Sequence, residues 1–408
     1  MVSNMNNKDR FLFNIIYLAI AILWPLIQTL YLGGLDGVGR VQILLMTLAV
    51  FVNFNKLLKS PKQMLIWILW IAYVVICSQY KGFYHYNKTF WNWTLTNLLF
   101  PYVTMLIAYQ AIVFDYSKTV SVLFGCYLLY VLLGTFSMQS IESYDIGIRL
   151  ENDLGNTFFN TSILFATFAA LLYSQGRLRK ISYWLLLLLV FYIIYRSGER
   201  KGLICVFIII FGTLYAVNSG KGAKSLTYMG ILFLLACGVI AVIMEHSVAG
   251  QRLTNSMTES QFQDSLFLKL MGDRGIMYYL GWDMFLDNFW TGIGITNFSW
   301  QNGYHEGLPF HTEYMVQLAE CGIIGTLIFI VFYYGMLKRL LICYRKKLAR
   351  KEVIILMATF VAFVVINLVA WTYTNANYFM MYGIIYGATE SLLAYDGGDN
   401  NNQRKLIG

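Results

Sequence analysis

Residues 273–325 read DRGIMYYLGWDMFLDNFWTGIGITNFSWQNGYHEGLPFHTEYMVQLAECGIIG. This is the one long stretch of the chain that is neither an unbroken apolar run nor a short connector. It opens on Asp273-Arg274 and continues through an aromatic, amphipathic segment to a glycine turn at Gly292 and Gly294. His311 and Glu313 follow, where the next apolar run begins. Arg, His, Glu and several Trp and Tyr at the edge of an apolar run suit a protein that handles a polar head group there.

The rest of the chain sets that stretch in a membrane. Of 408 residues, 58% are hydrophobic and 12% charged, about half the charged share of a soluble domain, roughly 25%. A membrane span needs about 20 mostly apolar residues. On that basis twelve helices are expected, at 11–32, 38–54, 63–80, 95–114, 119–138, 157–174, 181–196, 202–218, 226–245, 313–337, 353–373 and 377–394. The fold class is therefore an all-α polytopic membrane protein. It forms a single transmembrane domain over residues 1–395, with a disordered tail over 396–408. Lys8 and Arg10 precede the first apolar run without a small-residue cleavage site, as in a signal anchor.

Charge placement orients the spans. With both termini cytoplasmic, inward segments hold twenty of the 30 Lys and Arg, including a block of seven over 338–351. The net charge of +9 is then a matter of topology, and nucleic acid is not expected as a partner. The six cysteines lie in or beside apolar spans without ligand spacing, and read as small buried residues. Polar and aromatic residues gather outward, in the segments 80–93, 139–156, 196–202 and 246–312, the last being a large loop between spans nine and ten.

Arg196, Arg200 and Lys201 crowd one outward turn. Such residues commonly snorkel to lipid phosphates, but arginine also presents five fixed donors that match phosphate oxygens in pairs. Residues 276–289 place Asp283 and Asp287 on one face, as an interfacial helix would. Asp273, Asp283 and Asp287 lack the spacing of a divalent-cation site, and no metal or cofactor is expected. His311 stands just before a helix, whose N-terminus disfavours a charged imidazole. Glu313, Gln317 and Glu320 would follow one face into the membrane, where carboxylates are costly and default to function.

Four blocks carry a family resemblance. SGERKGLI (197–204) resembles the SxSRxxLL signature of the bacterial O-antigen polymerase and O-antigen ligase family. DRGIMYYLGWDMFLDNFWTGIGITNF (273–298) is similar to its Arg–Trp–acidic–GxG block, and PFHTEYMVQLAECGIIG (309–325) to its HxEY…ExGIIG block. RLENDLGNTFFNTS (149–162) is a looser match. The resemblance implies a GT-C-like, metal-independent, inverting glycosyltransferase of the bacterial inner membrane, with its active site on the outer face. The donor it implies is an undecaprenyl-pyrophosphate-linked glycan, the acceptor a second lipid-linked glycan, and a chain-length regulator protein a natural partner. By position, Arg200 and Arg274 would grip the pyrophosphate, His311 would orient or deprotonate the acceptor hydroxyl, and Glu313 would support it. Arg196, Lys201, Arg149, Asp273, Trp282 and Tyr314 would complete the substrate contacts. Glu199 departs from the usual Ser, and Thr312 stands where ligases commonly carry Asn. The second departure favours a polymerase of O-antigen, capsule or exopolysaccharide repeats over a ligase. A flippase of lipid-linked sugar, the rival from another class, should show an internal repeat and helix-embedded charges, whereas this sequence shows no repeat and concentrates its polar residues on one side.

Overall fold

Apolar runs of bilayer length become helices that bury their large side chains against one another. The computed structural model describes residues 6–31, 35–57, 60–85, 89–136, 139–143, 147–151, 156–197, 200–218, 227, 238, 273–302, 310 and 312–396, some of them by backbone alone. The helices are α1 (Asn7–Tyr31), α2 (Leu35–Leu57), α3 (Lys62–Lys81), α4 (Phe90–Phe114), α5 (Tyr116–Phe136), α6 (Asn156–Ser174), α7 (Lys180–Ser197) and α8 (Arg200–Asn218). Then come α9 (Asp273–Asp287), the short α10 (Phe298–Gln301), α11 (Glu313–Arg345), α12 (Arg350–Ile366) and α13 (Ala376–Asp396). Among the described residues, five segments are long and apolar enough to cross a membrane: Arg40–Leu57, Lys62–Lys81, Phe90–Phe114, Tyr116–Thr135 and Glu313–Arg345.

Eleven of the twelve expected segments are helical among the described residues; the twelfth, 226–245, lies outside them apart from Thr227 and Gly238. The described chain is helical as expected, apart from one antiparallel hairpin, β1 (Gln139–Ser143) and β2 (Gly147–Glu151), which pairs Ile141 with Arg149. Two helix ends need correction. α11 runs on to Arg345 rather than stopping at 337. α12 stops at Ile366 instead of 373: Leu368, Val369 and Ala370 turn back onto Val365 and Ile366, and the N–H groups of Thr372 and Tyr373 then go to Glu313 of α11.

Small residues set the closest packing. Gly383 of α13 lies against the Met105 backbone of α4, and Gly387 against Tyr109 and Ile112. Gly212 of α8 meets Ala358 of α12. Helices in lipid have little hydrophobic drive to associate, so backbones that approach closely gain most from packing. Around these contacts lies an aromatic core in which Trp67 stacks on Trp70 and meets Phe332 and Phe379 edge to face or tilted.

Among the described residues, two helices change pitch. Residues Leu95–Leu99 of α4 and Val316–Glu320 of α11 are single π turns. The first precedes Pro101, which has no N–H to give to the Asn97 carbonyl and crowds it. The second runs into Gly322, whose φ of 64° and ψ of −172° break the helix. Such turns gather at functional sites, and both lie at the same end of the bundle.

Candidate functional site

That end is organised around residues 367–375, the connection between α12 and α13. Glu313, the first residue of α11, is fully buried and spends its carboxylate there. Its Oε2 accepts the N–H groups of Thr372 (2.7 Å) and Tyr373 (3.2 Å), and its Oε1 the side chain of Gln317 (2.9 Å). Gln317 in turn accepts from the Trp70 indole at 2.9 Å. The carbonyl of Asn367 accepts from the Glu313 N–H (2.9 Å) and from the Thr312 hydroxyl (3.1 Å). Asn367 also donates to Tyr333 (3.0 Å) and accepts from Thr372 (2.9 Å). Buried polar groups are costly when unpaired, and a network in which each finds a partner fixes one loop geometry.

Two further elements reach the same connection. Cys205 of α8 donates to the Ala362 carbonyl of α12, while Gly212 lies beside Ala358 and Ile354. The two helices are therefore antiparallel, and the Arg200 end of α8 lies at the Ile366 end of α12. In α9, Tyr278 donates to the Leu368 carbonyl, and Gly281 packs on Phe310 and Met315. So the helices that begin with Arg200, with Asp273-Arg274 and with Glu313 all converge on residues 367–375.

A second clasp joins the glycine turn to the kink of α11. Ile293 and Gly294 donate to the carbonyls of Ala319 (2.9 Å) and Glu320 (3.0 Å), and Ile323 donates to Phe289 (2.8 Å). Gly292 (φ 69°) and Gly322 (φ 64°) touch backbone to backbone. A Cβ on Gly322 would stand 2.5 Å from the Gly292 nitrogen, and one on Gly292 would stand 2.6 Å from the Gly322 nitrogen. Only glycine fits both the space and the left-handed φ. The Glu320 carboxylate, itself buried, accepts from the N–H groups of Thr296 (3.0 Å) and Phe298 (3.1 Å). Thr296 has a φ of 65°, a costly conformation for a β-branched residue. It is held there by Glu320 and by its own hydroxyl, which donates to the Tyr84 carbonyl at 2.6 Å.

Between these two clasps opens a cavity of about 330 Å³, within the usual ligand-pocket range of roughly 300–1,000 Å³. Its walls come from the aromatic segment after α3 (Tyr84, His85, Trp93), from the turn before α11 (Thr296, Ser299, Trp300, Phe310) and from the α12–α13 connection (Trp371, Tyr373, Thr374). The two π turns supply the rest: Asn97 from one, Val316 and Glu320 from the other.

Of the residues the sequence singled out, Glu313 is buried beneath this cavity as a loop anchor and does not line it. Tyr314 donates to the Val364 carbonyl at 2.8 Å, and Trp282 sits half-exposed against Phe285. Neither lines the cavity. Glu313 and Gln317 share a face as expected, but the π turn swings Glu320 away to Thr296 and Phe298. His311 lies outside the described residues, as do the side chains of Arg149, Arg196, Arg200, Lys201, Asp273 and Arg274. Asn97, Trp300 and Trp371 were not among the selected residues. The signal available for them was polar or Trp residues interrupting apolar runs, as in WTYTNAN at 371–377.

No curated protein matches the chain. Residues 162–330, which hold the start of α8, the glycine turn, the second π turn and Gly322, match the family model described as O-antigen ligase.

Proposed function

We propose that the protein polymerises undecaprenyl-pyrophosphate-linked oligosaccharide repeat units on the outer face of a bacterial cytoplasmic membrane. The observation that carries this reading is the convergence of the motif-bearing helices on residues 367–375 beside an aromatic cavity. A hydroxyl of the incoming lipid-linked repeat attacks the anomeric carbon of the donor chain. The new glycosidic bond forms as the bond to pyrophosphate breaks, with inversion, and the hydroxyl proton passes to His311. Undecaprenyl pyrophosphate leaves with the bonding electrons. Arg200 and Arg274, the first residue of α8 and the second of α9, grip the growing negative charge, helped by the positive ends of their helices. Arg196, Lys201, Arg149 and Asp273 border that grip. Glu313 acts through the loop it anchors, as a positioning residue. The charge bias of the loops supports the outward placement.

The test is polymerisation by purified protein on lipid-linked repeat units. Donors aimed at a leaving group stabilise the transition state above the ground state. Losing one costs on the order of 3 kcal/mol, about a hundredfold in rate. Arg274→Lys keeps the charge but loses the two-pronged geometry, so it should stay badly impaired. His311→Ala should slow turnover while donor binding persists. Because the arginines neutralise the pyrophosphate, activity should survive EDTA; loss restored by Mg²⁺ would put a metal in their place. Near-normal rates in both Arg200→Ala and Arg274→Ala would reduce those arginines to lipid anchors. Transfer of finished polymer to an acceptor other than a lipid-linked repeat would be ligase behaviour, which the family match accommodates equally.

A further inference from the structure

We infer that the 330 Å³ cavity is a subsite for one neutral pyranose ring of the acceptor glycan, and that Trp300 and Asn97 decide which sugar it takes. The inference rests on the glycosyl-transfer reading above and adds the substrate element that this cavity holds. Charge comes first. Among the described residues no lysine or arginine lines the cavity, and a carboxylate, Glu320, stands in its wall. Without lysine or arginine in these walls there is no fixed cation to neutralise a pyrophosphate, whereas an uncharged polyol needs none. Shape comes second. A pyranose has a flat face of C–H groups and a rim of hydroxyls. Trp300 and Trp371 are partly exposed and Tyr84 is exposed, and all three line the cavity. A sugar's C–H face, weakly positive, suits the negative face of an aromatic ring.

The rim is matched by groups that both donate and accept. Asn97 spends one amide hydrogen on Thr96 at 3.3 Å, which leaves its carbonyl oxygen and its other hydrogen for a hydroxyl pair. Ser299 and Thr374 add hydroxyls on neighbouring walls. Discrimination between sugars that differ in one hydroxyl is largest where the site's own polar groups would be left unpaired, so Asn97 is the specificity residue. Position comes last. Phe310 lines the cavity and precedes His311 in sequence, while Thr312 follows it with its hydroxyl tied to Asn367. Because the cavity wall includes the immediate sequence neighbour of the base proposed above, we assign the ring it holds to the acceptor.

The experiment titrates the detergent-solubilised full chain with two probes by calorimetry. One is the single repeat-unit oligosaccharide cut from the host's own surface polysaccharide, without lipid or phosphate; the other is farnesyl pyrophosphate, without sugar. Trp300→Ala and Asn97→Ala should each weaken oligosaccharide binding tenfold or more and leave farnesyl pyrophosphate binding unchanged. Trp300→Phe keeps a flat face and should recover most of the affinity. Ser299→Phe fills the cavity and should abolish oligosaccharide binding while the protein still binds farnesyl pyrophosphate, which guards against misfolding. Oligosaccharide binding unmoved by Trp300→Ala and Ser299→Phe would overturn the subsite. In the transfer assay the same variants should raise the acceptor KM and leave donor hydrolysis without acceptor unchanged. A parallel fall in that hydrolysis would give the ring to the donor and overturn the acceptor assignment. A wild-type chain that binds the oligosaccharide but transfers nothing would sink the enzyme reading and spare the cavity.

Discussion

Carboxylates at the two ends of this bundle are held in opposite ways. At one end Glu390 of α13 faces the guanidinium of Arg339 of α11, which also donates to Gln63 (3.1 Å) and lies 5.7 Å from the centre of the Tyr386 ring. At the other end Glu313 and Glu320 are buried with neutral donors: four backbone N–H groups and the Gln317 amide. An ion pair ties two side chains and leaves the backbone free to adjust. A carboxylate that accepts from successive backbone N–H groups fixes where a loop runs. The cavity end is therefore built by carboxylates that hold loops, and the opposite end by a charge pair that holds helices.

The sharpest way to break the contrast is at the Gly292–Gly322 contact. Gly322→Ala forces a left-handed φ on alanine, costing roughly 1–3 kcal/mol, and drives a Cβ to 2.5 Å from the Gly292 nitrogen. The helix kink and the glycine turn must then part, which displaces Thr296, Ser299 and Trp300 together. Transfer activity should fall on the order of a hundredfold, with a lower thermal midpoint in detergent. Normal activity in Gly322→Ala would show that the clasp does not shape the site.

The next comparison sets the two buried carboxylates against each other. In Glu320→Gln one amide N–H₂ must face a backbone donor, either Thr296 or Phe298, and neither donor can turn away. In Glu313→Gln the amide oxygen can keep both Thr372 and Tyr373, and the conflict passes to Gln317. Rotating Gln317 would only move the conflict on to the Trp70 indole. Each change leaves one buried donor unpaired, at about 1–3 kcal/mol. Stability should thus drop similarly in both, by a few degrees of thermal midpoint. Transfer should suffer about tenfold in Glu320→Gln, whose loop lines the cavity, and less in Glu313→Gln. The reverse order of activities would return Glu313 to direct contact with substrate.

The helices were legible because a bilayer imposes a length, and a run such as 95–114 can hardly be read otherwise. The glycine turn and the CG of α11 stood out as motif blocks, though nothing in either block announces that Gly292 and Gly322 touch. Residues 367–373 were absorbed into a helix because Leu368, Val369, Ala370 and Trp371 continue the apolar run of α12. What holds the connection beyond that helix is a pair of N–H groups, of Thr372 and Tyr373, claimed by Glu313 from a helix some 60 residues earlier, a long-range effect that no local window contains. The π turns escaped for a related reason. One added residue in a turn does not disturb apolar content, yet it redirected Glu320 and brought Asn97 to the cavity. Trp282 and Tyr314 were chosen for their chemistry near a motif, and neither lines the cavity.

The smallest effect is expected at the charged end, and it completes the contrast. The Arg339 side chain is 15% exposed and that of Glu390 41%, so solvent screens the pair, and its share of stability is about 0–1 kcal/mol. Arg339→Met keeps the apolar stem that packs between helices while removing the charge. Glu390→Gln removes the other charge without changing shape. If this end only holds helices together, each variant should transfer sugar within twofold of the wild type, and the double variant should lose no more stability than the worse single one, because the second change removes a partner already gone. The measurements are initial rates of polymerisation and thermal midpoints in the same detergent. An order-of-magnitude loss of transfer in either single variant would show that α11 and α13 carry strain from the charged end to the cavity. The two ends would then be one mechanical unit, and the division between loop-holding and helix-holding carboxylates would fail.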